Sequence, residues 1–461
     1  MKSFFFLLFA LSSLCYLQAV RSDDNIQGFE DIALGKIARS FRIEPLRFKN
    51  IEFGPKESLG AALFFDPILS GPRNISCAAC HSRSLASGDG LSLAVGIGAE
   101  GVGKKREDQK DALVVARNTL PLFNRNRREF KSFFWDGRVQ LGPLGNFESP
   151  LGQKLEGGFE NLLAVASVFP LSVEDEMLGR PEETDVNSKY YHGALIKDDE
   201  NDNNYQLTTL DVFLSIGKRI WGKQEEKVNK TQKEYRVMFS EAYPNVSIDE
   251  LNISHVGNAL SAYISAAFNL QPSPWDRYID GDRAALSLEQ KKGAILFYGK
   301  ARCTVCHSGN EFSDFSFHGL SIPQQKIGKH GSYLDYGRAV ATGLPEFRYM
   351  FRTPPLRNVE DTGPWGHNGI FKSVKEAIEH HVNPIPLLYK SQQIDPTEKM
   401  YVGNLIGYRS PILAEIAPLT SQEIDLLVKF LSSLSSLTVI DDNTATPMSV
   451  PSGDNSFITI K

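Results

Sequence analysis

The sequence lacks the features that would bind it to nucleic acid or anchor it in a membrane. No cluster of basic residues appears, and the 461 residues carry a formal net charge of −5. Phosphate binding needs a clustered basic face, so nucleic acid is not expected as the main partner. Beyond the N-terminal segment, no apolar run is long enough for a membrane helix. Hydrophobic residues (41%) and charged residues (23%) occur at ordinary globular levels, and the length predicts two or three domains.

Residues 1–22 are predicted to be a secretory signal peptide. They contain a positive start, a short apolar run and a small or polar end. Cleavage is expected near Ser22, with Ala19 as the alternative. A lipoprotein reading through Cys15 is weaker, because Leu14 stands where a small residue would be expected. The mature protein is therefore expected in the periplasm, without stable insertion into a membrane.

Cysteine is scarce, and its spacing is informative. One of the five cysteines lies in the signal peptide, and the others form two C-x-x-C-H patterns, CAACH ending at His81 and CTVCH ending at His307. Two disulfides would be the first expectation for an exported protein, and zinc or redox chemistry is the alternative for one such motif. Two copies with no cysteine left over indicate two covalently attached haem c groups, with His81 and His307 as proximal iron ligands. The attachment residues would be Cys77, Cys80, Cys303 and Cys306.

The two halves of the chain repeat one another. Gly60–Phe65 (GAALFF) precedes the first motif, and Gly293–Tyr298 (GAILFY) precedes the second. A helix before each motif predicts two domains from one duplication, and Ser287 is the expected N-cap of the second helix. The fold is therefore predicted to be mainly α, with two cytochrome c-like domains, one covalent haem c in each, long loops and little sheet.

The expected domain limits follow from this repeat and from composition. The first domain is predicted at 23–277 and the second at 278–440. A highly charged stretch, 181–233, is predicted to be a surface insertion with a helix or two in the first domain. The tail, 441–461, is rich in Ser, Thr, Asp and Pro and is predicted to be disordered.

Further motifs resemble those of the bacterial dihaem cytochrome c peroxidases and their MauG-type relatives. They occur between Leu59 and Pro384 in the order LFFDPILSG, ARNTLPLFN, FFWDGR, FPLSVEDEM, FRTPPLRNVEDTGPWGHNG and EAIEHH. The resemblance implies a first haem that reacts with hydrogen peroxide and a second that transfers electrons. Homodimer formation stays open.

Three functions remain after this resemblance. The first is a peroxidase that takes electrons from a small cytochrome or cupredoxin. The second is a MauG-type enzyme that oxidises residues on a partner protein. A pure electron-transfer dihaem cytochrome is less favoured, and the rubber-cleaving oxygenases are more distant relatives.

The first haem is expected to have an open face. No histidine occurs between His81 and His192, whereas a typical dihaem peroxidase has a capping histidine shortly after its first motif. The absence implies an iron held by His81 alone among protein side chains, as in the MauG-type arrangement, which suits peroxide binding. Such an open site would serve no purpose in an electron carrier. His192, in the charged insertion, is a distant candidate ligand.

The resemblance also assigns a catalytic base, Glu176. It stands six residues after Pro170, where the family has a glutamate. A carboxylate there could take the first proton of peroxide and return it to the leaving oxygen. From the residues alone, Glu174, Asp175 and Glu176 would be a solvated acidic patch.

Trp135 in FFWDGR matches the residue that relays electrons between the haems in relatives. Core packing beside Phe133 and Phe134 is the alternative, and the two readings are compatible.

A calcium ion between the haems is also implied by the resemblance. The matched ligands are the side chain of Asn118, with Asn124 as alternative, and the backbone carbonyls of Thr362 and Pro364. Oxygen ligands of this kind suit a hard cation.

The second haem departs from the family pattern. Relatives place a Met or Tyr ligand seventeen residues after the Pro of Thr-x-Pro, and the count from Pro364 reaches His381. Imidazole is a stronger donor than the Met thioether, which lowers the haem potential and shifts the expectation toward MauG-type behaviour.

The position of His381 on the apolar face of its predicted helix independently supports its role as a ligand of the second haem. Ser373 and Glu376 form a capping-box pattern, and one apolar face of the following helix ends at His381 and excludes His380. A core histidine, or ligation by His380, is the alternative. The residues of that face are Val374, Ala377, Ile378 and His381.

The remaining histidines are expected to have no catalytic role. His318 and His367 match family positions and are predicted to be structural hydrogen-bonding residues near the haem edges. His255 and His330 are predicted at the surface.

Overall fold

The computed structural model describes residues 28–47, 51–107, 109, 112–180, 208–324, 334–392, 399–436 and 445–458. The chain is mainly helical there, with long loops and little sheet, so the predicted fold class is confirmed. No helix in these ranges is long and apolar enough to cross a membrane. The helices are α1 (Phe29–Ser40), α2 (Pro55–Phe65), α3 (Cys77–Cys80), α4 (Leu162–Val168), α5 (Thr209–Ile220), α6 (Lys230–Ala242), α7 (Ile253–Ala267), α8 (Pro274–Ile279), α9 (Leu288–Tyr298), α10 (Arg338–Thr342), α11 (Val374–Val382), α12 (Ile385–Gln392), α13 (Lys399–Gly407) and α14 (Ser421–Ser432).

The strands form two small antiparallel sheets. One has the order β1-β2-β3, with Ser132 opposite Gln140 and Gln140 opposite Glu148. The other pairs β4 with β5 and places His318 opposite Phe351. The strands are β1 (Ser132–Phe133), β2 (Val139–Leu141), β3 (Phe147–Glu148), β4 (Phe317–Gly319) and β5 (Met350–Arg352).

Each half contains the same close helix crossing. Gly60 on α2 lies against α7, where an added Cβ would stand 1.9 Å from the carbonyl oxygen of Ala259. Gly293 on α9 lies against α14 in the same way, 2.0 Å from the carbonyl oxygen of Leu426. An aromatic residue one turn later, Tyr263 or Phe430, closes each contact. Only glycine permits this backbone approach, so the repeated GA-x-LF pattern builds the same helix pair twice.

Two hydrophobic cores surround these helix pairs. The first core is built mainly from α2 and α4 to α7, and the second from α1, α8, α9 and α14. Aromatic side chains fill both, with Phe64 against Tyr263 in the first and Trp275 against Phe430 in the second. Burial of such side chains is the main stabilising contribution.

The expected limits between the halves need correction at the N-terminus and near residue 277. Leu34 on α1 is buried in the second core, although 23–277 was predicted to be one domain. The carboxylate of Asp31 accepts from Tyr278 (2.6 Å) and pairs with Lys291 (2.9 Å). Trp275 also belongs to the second core. Helices α1 and α8 therefore pack with the second half.

The predicted disorder of the tail is wrong for residues 445–458. Ala445, Val450 and Phe457 are buried in the first core. The backbone N–H of Ser452 donates to the buried carboxylate of Asp66 (3.1 Å). A polar composition predicted disorder, but three apolar residues suffice to dock the segment on a core that is far away in sequence.

The charged stretch 181–233 is also more than a surface insertion where the structure describes it. Helix α5 turns an apolar face of Val212, Phe213, Ile216 and Ile220 into the first core. Its Thr208 N-cap accepts from the N–H of Asp211 (3.3 Å). Residues 181–207 lie outside the described residues.

Candidate functional site

Two neighbouring cavities each contain one C-x-x-C-H motif. Cys77, Cys80 and His81 line the first, and the second motif lines the other. The four cysteines of the two motifs form no disulfide. Burial raises the pKa of Cys77, Cys80 and Cys303 to about 12. These groups are therefore protonated thiols at neutral pH.

The three histidines expected to bind iron make the same kind of hydrogen bond. Nδ1 of His81 donates to the carbonyl of Ser87 (3.1 Å) and Nδ1 of His307 to that of Phe312 (3.0 Å). Nδ1 of His381 donates to the carbonyl of Ala377 (2.7 Å). A carbonyl can only accept, so each Nδ1 carries the proton and each Nε2 keeps its lone pair. This is the arrangement that metal-binding histidines use to fix tautomer and ring orientation.

Burial keeps these rings in the neutral form. It lowers the pKa of His81 and His307 to about 4, and it lowers the pKa of His381 as well. Neutral imidazole is the metal-binding form. All three residues therefore have the chemistry of metal ligands at neutral pH.

In the second cavity, His381 lies opposite His307. Their ring centroids are 6.5 Å apart. Two imidazoles on opposite sides of one metal, each with a metal–nitrogen bond of about 2 Å, would have centroids about 6 Å apart. The pair therefore fits an iron between its rings.

Helix α11 explains which histidine faces the cavity. Val374, Ala377 and Ile378 line the cavity together with His381. His380 points elsewhere, and its Nε2 donates to the carbonyl of Leu320 (2.9 Å). Ser373 caps the helix, but the carboxylate of Glu376 accepts from the N–H of Lys372 rather than that of Ser373, so only half of the expected capping box forms.

The first cavity has acidic side chains in its wall and, among the described residues, no second histidine. Among the residues that the structure describes, His81 is the only histidine lining it. Glu176 lines it from a single π-helical turn, Glu174–Leu178, a feature that often marks functional sites. Glu174 is exposed, whereas Glu176 is partly buried, so the residues of the acidic patch do not share one environment. Met177 also lines this cavity, and sequence reasoning overlooked its thioether.

The turn that carries Glu176 is fixed from two sides. The N–H of Ile97 donates to the carbonyl of Asp175 (3.2 Å), and the N–H of Gly71 donates to that of Met177 (2.8 Å). A Cβ on Gly96 would stand 1.7 Å from the carbonyl oxygen of Asp175. The loop after the first motif therefore packs directly on the backbone beside Glu176.

A shared wall separates the cavities, and Trp135 is part of it. The residue lines both cavities and is 7% exposed. Its indole N–H donates to the carbonyl of Asn118 (2.9 Å), and its own carbonyl accepts from the N–H of Arg352 (2.8 Å). The indole is thus buried and held in the wall between the two sites.

The residues matched to a calcium site meet at the second cavity. Asn118, Thr362 and Pro364 all line it, whereas Asn124 lines neither cavity. The amide of Asn118 donates to the carbonyl of Leu91 (2.8 Å), which leaves its side-chain oxygen as the atom for a cation.

Cys306, Asp314 and His318 bring three metal-binding side chains within 4.8 Å of one another. Nε2 of His318 donates to the carboxylate of Asp314 (2.9 Å), and this bond raises the pKa of His318 to about 10. His318 and Asp314 therefore form an ion pair, and His318 and Cys306 line the second cavity.

The other histidines lie as follows. His367 stacks on Phe351 in the second cavity, with ring centroids 3.6 Å apart, and its Nε2 has a long contact to the amide nitrogen of Gln324 (3.5 Å). His255, at the start of α7, is partly buried and bonds to Asn252. His192 and His330 lie outside the described residues.

Sequence reasoning missed two arginines in the shared wall. Arg125 and Arg352 line both cavities. Arg352 stands in the quoted FRTPPLRN motif, but nothing in FNRNRREF distinguishes Arg125 from Arg127 or Arg128.

Comparisons with known proteins agree with this geometry. The family model of the di-haem cytochrome c peroxidases matches residues 55–284. The methylamine utilization protein MauG of Methylorubrum extorquens is 28% identical over 71% of this chain and 68% of its own. The cytochrome c551 peroxidase of Pseudomonas aeruginosa is 27% identical over 70% of each chain.

Solved structures show the same fold. A MauG-like protein associated with microbial copper homeostasis has a TM-score of 0.55 at 20% identity, covering 88% of this chain and 95% of its own. The diheme peroxidase BthA of Burkholderia thailandensis also has a TM-score of 0.55, at 19% identity, with coverage of 85% and 87%. The chain belongs to the di-haem cytochrome c peroxidase family and is an oxidoreductase of that family.

Proposed function

We propose that the chain is a periplasmic dihaem c-type peroxidase that reduces hydrogen peroxide to water with electrons from a small cytochrome or cupredoxin. The observation that carries the proposal is the match between the cavities. Each contains a C-x-x-C-H motif whose histidine has its Nδ1 tied to a carbonyl and its Nε2 free. The periplasmic location rests on the N-terminal segment of the sequence.

The chain would hold two haem c groups through thioethers. Cys77 and Cys80 attach the first, with His81 as its protein ligand. Cys303 and Cys306 would attach the second, with His307 and His381 as its protein ligands. When bound, the haems supply an iron that binds peroxide and two centres that store and pass electrons.

Glu176 would move the proton. Its carboxylate, in the wall of the first cavity, takes a proton from one oxygen of hydrogen peroxide and returns it to the other as the O–O bond breaks. The departing oxygen then leaves as water with both protons of the peroxide, and two further protons and two electrons bring the other oxygen to water. The balance is H2O2 + 2 H⁺ + 2 e⁻ → 2 H2O.

Trp135 would carry electrons between the sites. Its large polarizable ring lies in the wall shared by both cavities, and the hydrogen bond from its indole N–H to the carbonyl of Asn118 fixes the ring's orientation. A calcium ion held by Asn118, Thr362 and Pro364 belongs to the same proposal. Its positive charge would lie beside the wall through which the electrons pass.

A second candidate function is oxidation of residues on a partner protein, as in MauG-type enzymes. The specific observation in its favour is the placement of His381 opposite His307 at 6.5 Å. A haem with two imidazoles has a lower potential than one with Met, so it is a poorer electron sink and tolerates higher oxidation states. The two candidates share every residue assignment and differ in the source of the electrons.

Haem staining of denatured protein on a gel tests the attachment. Wild type should stain and have the mass of a chain with two haems. The double substitution Cys303→Ala, Cys306→Ala should lose one haem, and Cys77→Ala, Cys80→Ala should lose the other. Retention of both haems in either double variant would overturn the assignment.

A further inference from the structure

The shared wall contains two buried positive charges that no carboxylate of the described residues neutralises. We propose that Arg125 and Arg352 form the anion sites that bind the carboxylates of the two prosthetic groups. This inference rests on the proposed function, because it takes the groups to be haems, whose porphyrin carries two propionate side chains.

Arg125 is almost completely buried, with 6% of its surface exposed. Its Nε donates to the carbonyl of Pro121 (2.6 Å), and its guanidinium lies 4.7 Å over the ring of Phe130. The two terminal nitrogens have no hydrogen-bond acceptor within the described part of the chain. Glu311 is a nearby carboxylate, but it pairs with Arg127 (3.0 Å).

Arg352 is 1% exposed and stands in the same wall. Its Nε donates to the carbonyl of Phe134 (3.0 Å), and one terminal nitrogen has a long contact to that of Thr353 (3.4 Å). Burial lowers the pKa of Arg352 to about 10, although Asp136 opposes this effect. Asp136 itself forms ion pairs with Arg117 and Arg138.

Two buried arginines elsewhere in this fold have carboxylate partners. Arg117 binds Asp335 through two nitrogens (2.6 and 2.8 Å) and Asp136 through a third (2.7 Å). Arg357 makes a two-pronged pair with Asp276 (2.8 and 3.0 Å).

A third buried arginine, Arg106, is 0% exposed and has no carboxylate partner, but its Nε and both terminal nitrogens donate to backbone carbonyls. Arg125 and Arg352, which line both cavities, have neither a carboxylate partner nor a full set of carbonyl acceptors among the described residues. An unpaired buried charge is strongly unfavourable, so the missing partner is an anion bound in the cavities.

The planar guanidinium matches a carboxylate better than any other side chain does, because two N–H groups can donate in parallel. Both arginines touch both cavities, so each can serve the group on either side. Two positive charges in one wall would then raise the reduction potentials of both haems together.

The test uses the holoprotein with Arg125→Gln, Arg352→Gln and the charge-preserving Arg125→Lys and Arg352→Lys. Resonance Raman spectra report hydrogen bonding of the propionates, and redox titration reports both potentials. Arg138→Gln is the matched control, since Arg138 lines the first cavity but pairs with Asp136 (3.1 Å).

We expect the propionate bands to shift in all four variants at positions 125 and 352, and the potentials of both haems to fall in the two glutamine variants. The lysine variants keep the charge and so should keep the potentials. If the glutamine variants do not fold, the lysine variants still test the bands. Unchanged propionate bands with both haems retained on the gel would overturn this inference alone. A shift of those bands in Arg138→Gln as large as in the variants at positions 125 and 352 would do the same. A wild type without haem would instead overturn the proposed function and this inference with it.

Discussion

The ring nitrogen that forms the backbone hydrogen bond distinguishes the three proposed metal-binding histidines from a core histidine. His81, His307 and His381 use Nδ1 for a carbonyl and leave Nε2 free, whereas His380 donates through Nε2. The same backbone bond therefore orients each ring and selects the tautomer that binds metal. The proposed difference between the haems comes from a single side chain, His381, which has no counterpart in the described wall of the first cavity.

Glu176→Gln should slow the reaction with peroxide by about 100- to 10,000-fold, because the amide cannot accept the proton. Both haems should stay attached, since Glu176 is not one of their ligands. Stopped-flow absorbance after mixing with peroxide measures the rate. Glu174→Gln is the control from the same acidic turn, where the side chain is exposed. Equal rates in the two variants would indicate that Glu176 is part of a solvated acidic patch and not a catalytic base.

Some of this site could be predicted from sequence, and some could not. Helix phase separates His381 from His380 because a cap and an apolar stripe fix which side of α11 faces inward. No local pattern separates Arg125 from Arg127. Their environments depend on residues such as Glu311 and Arg352, about two hundred positions away. Burial of a charged side chain is set by distant partners, which a single sequence does not reveal.

At the scale of helices and strands, two glycines position the motifs. Gly60 and Gly293 bring α2 onto α7 and α9 onto α14 at backbone contact. Each crossing lies just before a C-x-x-C-H motif in the chain, so the same element supports each cavity. The repeat could be predicted because GA-x-LF recurs in sequence. The partner helices α7 and α14 could not, since neither carries a matching motif.

Gly293→Ala should destabilise the fold by about 1–3 kcal/mol or more, since the new methyl group would overlap the carbonyl of Leu426. Denaturant unfolding followed by circular dichroism measures the change. Gly403→Ala on α13 is the control, because no atom lies within 4 Å of its Cβ position. That change should be neutral or slightly stabilising. A Gly293→Ala protein as stable as the Gly403→Ala protein would contradict the proposed close crossing.

At the scale of the whole molecule, both ends of the described chain pack on the half that is distant in sequence. Helix α1 adds Leu34 to the second core, and residues 445–458 add Phe457 to the first. Hydrophobic periodicity predicts that α1 has an apolar face but not which core covers it. The composition of the tail predicted disorder because Ser, Thr, Asp and Pro outnumber its few apolar residues, yet Asp66 and the first core provide a docking place.

An ion-pair network joins the two halves near the shared wall. Burial alone would raise the pKa of Asp335, but Arg117 lowers it to about 2. A carboxyl whose pKa is lower in the folded state stabilises the fold above its unfolded pKa of 3.8, and this contribution is lost as the pH falls through about 2. The shift corresponds to about 2 kcal/mol.

Asp335→Asn should therefore lower the free energy of unfolding by about 2 kcal/mol at pH 7. It should also make the loss of stability between roughly pH 4 and 2 shallower than in wild type. Urea unfolding at a series of pH values measures both effects. If the free energy of unfolding instead fell by the same amount at every pH, the contact with Arg117 would not be what lowers the pKa of Asp335.

The central claim is that the two cavities hold unlike haems, one open and one with histidines on both faces. Electron paramagnetic resonance of the oxidised protein tests it most directly. Wild type should show one high-spin and one low-spin ferric haem, and His381→Ala should convert the low-spin signal to high-spin while both haems remain on a denaturing gel. His380→Gln, the neighbouring control, should leave the spectrum unchanged. Two low-spin haems in wild type, or an unaltered low-spin signal in His381→Ala, would contradict the claim.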